Sequence, residues 1–190
     1  MTTPAHPRST RGRLFVISGP SGAGKGTVVR EILRLRPDIY LSVSATTRPA
    51  RRGERNGIDY RFIGREQFIG MRDRGEFLES AEVYGNLYGT PRRPVEDAIV
   101  SGRDVICELD IQGAGSIKRA KPESVLIFIE PPSFDELVGR LRGRGTEDAE
   151  ALGQRLRAAY DEIKQKRLYD HIVINEELEE AVAEVLRIIE

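Results

Sequence analysis

Cysteine is nearly missing from this chain. Cys107 is the one thiol in 190 residues, which excludes an internal disulfide and any multi-thiolate metal site. Net charge is missing too, since thirty basic residues balance thirty acidic ones. No global field therefore draws the chain to nucleic acid or an anionic membrane. No apolar run approaches the roughly 20 residues that a bilayer span requires, and Met1 to Arg13 holds no apolar stretch of the signal-peptide kind. There is no internal repeat and no low-complexity tract. The expectation is a soluble, cytoplasmic, globular protein, long enough to bury one sizeable core without staples.

Within the balanced charge, 25 of the thirty basic residues are Arg. Two readings stand side by side. Arginine's planar fork suits phosphate, and a GC-rich genome gives the same excess.

Met1 to about Gly12 reads as a polar, frayed tail. Leu14–Ile17 has the continuous apolar character of a buried parallel strand. A Gly-rich turn follows, then a helical pattern from about Gly24 to Arg36, stopped by Pro37. Tyr40–Val43 reads as a second strand and Thr46–Asn56 as a loop. From Ile58 to Tyr88 the segments shorten: strands at Tyr60–Ile63, Phe77–Leu78 and Ala81–Tyr84, a helix near Glu66–Arg74, and a turn at Tyr84–Leu87. Helix and strand then alternate, with helices near Pro91–Ser101, Gly113–Ala120, Ser133–Arg142, Glu147–Arg167 and Glu177–Ile189. Strands are expected at Val105–Leu109, Val125–Ile129 and Ile172–Ile174. Ser133, three residues before Glu136, marks a capping box. This rhythm predicts an α/β fold with a mostly parallel sheet flanked by helices.

The strongest chemical signal is the run Gly19, Pro20, Ser21, Gly22, Ala23, Gly24, Lys25, Gly26, Thr27, set between the first strand and the first helix. Glycines there let successive N–H groups turn around phosphate oxygens, and the helix N-terminus adds partial positive charge. Lys25 reaches the transferring phosphate in such a P-loop. Gly26 departs from the usual pattern, which has a hydroxyl residue after the lysine to meet Mg²⁺. Either phosphates and water hold the metal, or Thr27 or Asp110 helps; no direct metal ligand is assigned.

The second constellation runs from Ser42 to Tyr60: SVSATTRPARRGE, then Asn56-Gly57 and Asp59-Tyr60. With GPSGAGKGT, Glu79 in EFLESAEVYGNLYGT, ELDIQGAGSIK, IEPPSFDEL, GRGTED and HIVIN, the chain resembles the guanylate kinase family from about Arg13 onward. The resemblance implies a P-loop nucleoside monophosphate kinase using ATP, Mg²⁺ and GMP or dGMP. It implies a P-loop core at 13–44 and 91–190, a GMP-binding subdomain at 45–90 and a lid at 143–155. It implies no nucleic acid, membrane or obligatory protein partner.

Residue by residue, the resemblance makes Glu79 the carboxylate that reads guanine, helped by Ser44, with Thr90 near the base. Guanine's edge presents two adjacent donors, which one carboxylate accepts. Arg48 and Arg51, with Tyr60 and Tyr88, match the residues around the GMP phosphate. Asp110 is placed on the GMP side, at the carboxyl end of a strand where open α/β sheets bind ligands. Arg140, Arg144 and Arg155 match arginines that close on the phosphates, and Asn175 matches a residue near adenine. Arg52, Arg142 and Arg157 read as solvated surface, His6 as part of the tail and His171 as structural. Two other readings remain beside this one: a kinase-like interaction module, whose P-loop would be eroded, and a kinase for another monophosphate, which the Ser44, Arg48, Arg51, Tyr60, Glu79 set does not suit.

Overall fold

The computed structural model describes residues 11–83, 85–142 and 149–190, with the backbone alone for 149–152. In chain order the strands are β1 (Leu14–Ser18), β2 (Tyr40–Leu41), β3 (Ala45–Thr46), β4 (Arg61–Phe62), β5 (Phe77–Val83), β6 (Asn86–Pro91), β7 (Val105–Glu108), β8 (Val125–Glu130) and β9 (His171–Ile174). The helices are α1 (Lys25–Leu35), α2 (Arg65–Asp73), α3 (Arg92–Val100), α4 (Ile111–Ala120), α5 (Phe134–Arg142), α6 (Ala149–Lys164) and α7 (Leu178–Ile189).

Every residue of β1 is buried, so neither face meets water. The reason is the sheet order β2-β7-β1-β8-β9, all parallel, which puts β1 in the middle. Alternate side chains enter different cores. Phe15 and Ile17 join Val28, Val29 and Ile32 of α1 and Val182 and Val185 of α7. Leu14 and Val16 join Val95 and Ala98 of α3 and Ala114 and Ile117 of α4. Helices therefore cover both faces, as strands apolar throughout require.

A second sheet, order β4-β3-β6-β5, stands beside the first. Phe68 of α2 stacks on Phe77 with ring centroids 4.5 Å apart, over Ala45 and Leu87. Its β5–β6 hairpin runs antiparallel from Val83↔Asn86 to Phe77↔Pro91.

Several boundaries differ from the sequence reading. Residues 86–91, read as a turn and a helix start, form β6, and Thr46, read as the first residue of a loop, joins Ala45 in β3. The second strand stops at Leu41. The helix expected at Gly113 opens at Ile111, because the Asp110 carboxylate accepts the Gly113 N–H at 2.7 Å and caps it. The long helix expected to reach Arg167 ends at Lys164 and tightens into a 3₁₀ turn over Gln165–Leu168. Gly12, expected in the tail, donates its N–H to the Ile99 carbonyl at 2.9 Å. Ser133 does cap α5, accepting the Glu136 N–H at 3.1 Å.

Candidate functional site

The turn after β1 lies at the carboxyl edge of the parallel sheet, where ligands of open α/β sheets bind. Gly24 caps α1 in the left-handed region, φ 88°, and brings no side-chain acceptor of its own. No cap side chain therefore competes with an anion for the first turn of α1, where the Thr27 N–H donates to the Gly24 carbonyl at 3.0 Å. Lys25 Nζ donates to the carbonyls of Gly19 at 2.6 Å and Pro20 at 3.0 Å, which keeps the ammonium against the turn.

Asn175, expected near adenine, supports this turn. It is buried, its Nδ2 donates to the Ala23 carbonyl at 2.7 Å, and a Cβ on Gly24 would stand 2.3 Å from that nitrogen. Arg140 reaches the same place, donating to the Asn175 carbonyl at 3.1 Å while pairing with Glu136 at 3.2 Å. The Thr27 hydroxyl accepts from Arg30 at 3.1 Å.

The turn forms one wall of a cleft of about 710 Å³, lined by Gly19, Ser21, Gly22, Gly24, Lys25, Gly26 and Thr27. Glu108, Asp110, Arg51 and Tyr60 line it as well, and Arg155 and Glu162 reach it from α6. Burial raises the Glu108 carboxyl's pKa, and Lys25 and Arg30 oppose that shift.

Across the cleft the structure brings Arg48, Tyr60 and Tyr88 together. The Arg48 guanidinium lies 4.9 Å from the Tyr60 ring centroid, and the two phenol rings meet edge to face at 5.9 Å. Glu54, to which sequence reasoning gave no role, holds Arg48 through two bonds of 2.6 and 2.7 Å and accepts the Arg51 N–H at 2.7 Å. The Arg48 partnership brings Glu54 down to about 2, while the guanidinium itself is raised, first by Glu54 and then by Tyr88. An acid six residues after an arginine is too common a spacing to have signalled this clamp.

Behind this wall Glu79 is buried on β5 and accepts from the Thr90 hydroxyl on β6 at 2.7 Å. Burial raises its pKa, Thr90 opposes the shift, and the charge of Asp110 adds to it. A Cβ on Gly113 would lie 3.2 Å from Glu79 Oε2 and 3.3 Å from Asp110 Oδ1, so the two carboxylates converge where α4 has no side chain. Ser44 is buried just ahead of β3, its carbonyl accepting the Arg61 N–H at 2.9 Å. Arg144 lies outside the described residues, as does 143–148 of the expected lid.

Fold and cleft together define a P-loop nucleotide-binding protein of the α/β class. The family model described as guanylate kinase matches residues 11–190. Guanylate kinase of Carboxydothermus hydrogenoformans is 50% identical over 172 residues, covering 90% of this chain and 84% of that protein. A guanylate kinase of Thermus thermophilus is 50% identical over 182 residues, covering 96% and 81%. The crystal structure of guanylate kinase from Anaplasma phagocytophilum superposes with a TM-score of 0.78 at 37% identity, over 95% of this chain and 85% of that one. The chain belongs to the guanylate kinase family of enzymes.

Proposed function

We propose that this enzyme transfers the γ-phosphoryl group of ATP to GMP or dGMP, releasing ADP and GDP or dGDP. A phosphate oxygen of the acceptor attacks the γ-phosphorus in line, the bond to the β–γ bridging oxygen breaks, and that oxygen leaves with ADP. The observation that carries this reading is one cleft lined both by a lysine-bearing phosphate turn and by Arg51 and Tyr60. Such a lining suits two phosphorylated ligands.

The turn residues 19–27 and Lys25 would bind the donor phosphates. Arg51, Tyr60, Arg48 and Tyr88 would hold the acceptor phosphate, with Glu54 orienting Arg48. Glu79, bonded to Thr90, would accept guanine's N1–H and 2-amino hydrogens with Ser44 helping at the base, and Asp110 converges on Glu79. Adenine presents an acceptor where guanine has N1–H, so a buried carboxylate rejects it. Arg140, Arg144 and Arg155 would meet the charge spread over the transferring group. Asn175 supports this reading by holding the phosphate turn. No general base is required, because the acceptor phosphate is already a nucleophile.

The donor set suits Mg²⁺. A Cβ on Gly26 would lie 3.5 Å from Glu108 Oε1, so a carboxylate stands beside the position where a hydroxyl is usual. Mg²⁺ keeps several waters and takes few protein ligands, and Glu108 would hold it through such water. When bound, the ion neutralises phosphate charge. The setting this reading implies is cytoplasmic purine metabolism and GMP recycling.

A coupled ADP-release assay with ATP and Mg²⁺ tests the proposal. Turnover on GMP and dGMP is expected; equal rates on AMP, UMP and dTMP would remove the guanine specificity.

A further inference from the structure

Helix α6 turns one face to the phosphate turn. Arg155, Ala158 and Glu162 stand at i, i+3 and i+7, and all three line the cleft with Ser21 and Lys25. The two charged members have opposite signs. Arg155 suits a polyphosphate, whereas a carboxylate in the same cleft opposes one. Burial disfavours the charged form of Glu162, and two groups counter that: Lys25 and the backbone N–H of Ser21. Both belong to the phosphate turn, and a donor phosphate would claim both. Glu108 also faces Lys25, but it sits at the end of a central strand that has no freedom to withdraw.

We infer that Glu162 is a positioning residue that competes with the ATP phosphates for Lys25 and the Ser21 N–H. Phosphate binding then displaces the Glu162 carboxylate from the turn, while Arg155 lines the same cleft from the same helix. One anion replaces another. This inference rests on the phosphoryl-transfer reading of the cleft.

Glu162→Gln tests it, because the amide keeps size and an acceptor oxygen but drops the charge. Calorimetric titration with ADP separates binding from turnover. The variant is expected to bind ADP roughly threefold to tenfold more tightly and to show a matching fall in the KM for ATP, with the KM for GMP unchanged. A residue that merely held α6 in place would give weaker ADP binding and a lower Tm. Unchanged or weaker binding by the folded variant overturns the inference. A measurement on the wild-type protein covers a variant that fails to fold: amide hydrogen exchange at Ser21 without nucleotide. Slowed exchange supports the contact with Glu162, and exchange at the rate of an open loop overturns it. The two readings fail separately. A wild-type protein that neither binds ADP nor phosphorylates GMP sinks the phosphoryl-transfer reading, whereas an active wild type with a silent E162Q sinks only this one.

Discussion

Two glutamates on the acceptor side show how one residue type serves opposite ends. Burial raises the Glu79 pKa above its ordinary 4.5, so its charge costs stability at neutral pH. A group raised in the folded state contributes stability below its unfolded pKa, and that contribution is lost as pH rises through the folded value. Glu79→Gln should therefore raise Tm at pH 7, since the amide still accepts from Thr90, while weakening GMP by roughly 10²-fold or more in kcat/KM and leaving ATP affinity alone. Calorimetry and steady-state kinetics on one preparation check both halves. Glu54 has the reverse sign. Arg48 lowers it from 4.5 to about 2, so its contribution is present above pH 4.5 and disappears as pH falls toward 2. Glu54→Gln should melt below wild type at pH 7, and the gap should close on acid titration. Lys25→Ala should lose roughly 10²–10³-fold in kcat, with the circular dichroism spectrum kept.

At the scale of elements, the phosphate turn is held as much by its neighbours as by its own glycines. Gly24→Ala meets two obstacles: a positive φ, which costs about 1 kcal/mol or more without glycine, and a Cβ 2.3 Å from the Asn175 nitrogen. Asn175→Ala removes the second obstacle. The double variant should then be less destabilised than the sum of the two singles; strict additivity in urea unfolding would show that the contact is unimportant. The turn was legible in the sequence because its conformational demands are written as glycines between an apolar run and a helix. Glu79 and Thr90 were legible through the family resemblance, but their mutual bond was not, because β6 was not. Leu87, Gly89 and Pro91 give that strand an unpromising composition, and its register comes from the β5 partner and from the rings of Phe68 and Phe77, which lie 2.9–3.0 Å from where a Gly89 Cβ would be. The capping bond of Asp110 was hidden for a related reason. A carboxylate at a strand end looks the same in sequence whether or not it caps the next helix, and here it accepts the Gly113 N–H. Glu162 was missed although its spacing from Arg155 shows the shared helix face. What the sequence withheld was the neighbour across that face.

For the whole molecule, residues of both sheets border the cleft, and phosphoryl transfer must exclude water while joining two ligands. Solution scattering should show a smaller radius of gyration with a bisubstrate analogue than without it; identical curves would argue against closure. One feature of the assembled protein also governs its making. The turn that follows β1 is synthesised well before the side chain that fixes the Ala23 carbonyl, which sits at Asn175, 152 positions further on. A nascent chain halted on the ribosome before β9 emerges has the glycine-rich turn but not its prop. Nucleotide capture should therefore begin late in translation, and stalled chains of graded length would reveal a threshold near the exit of residue 175.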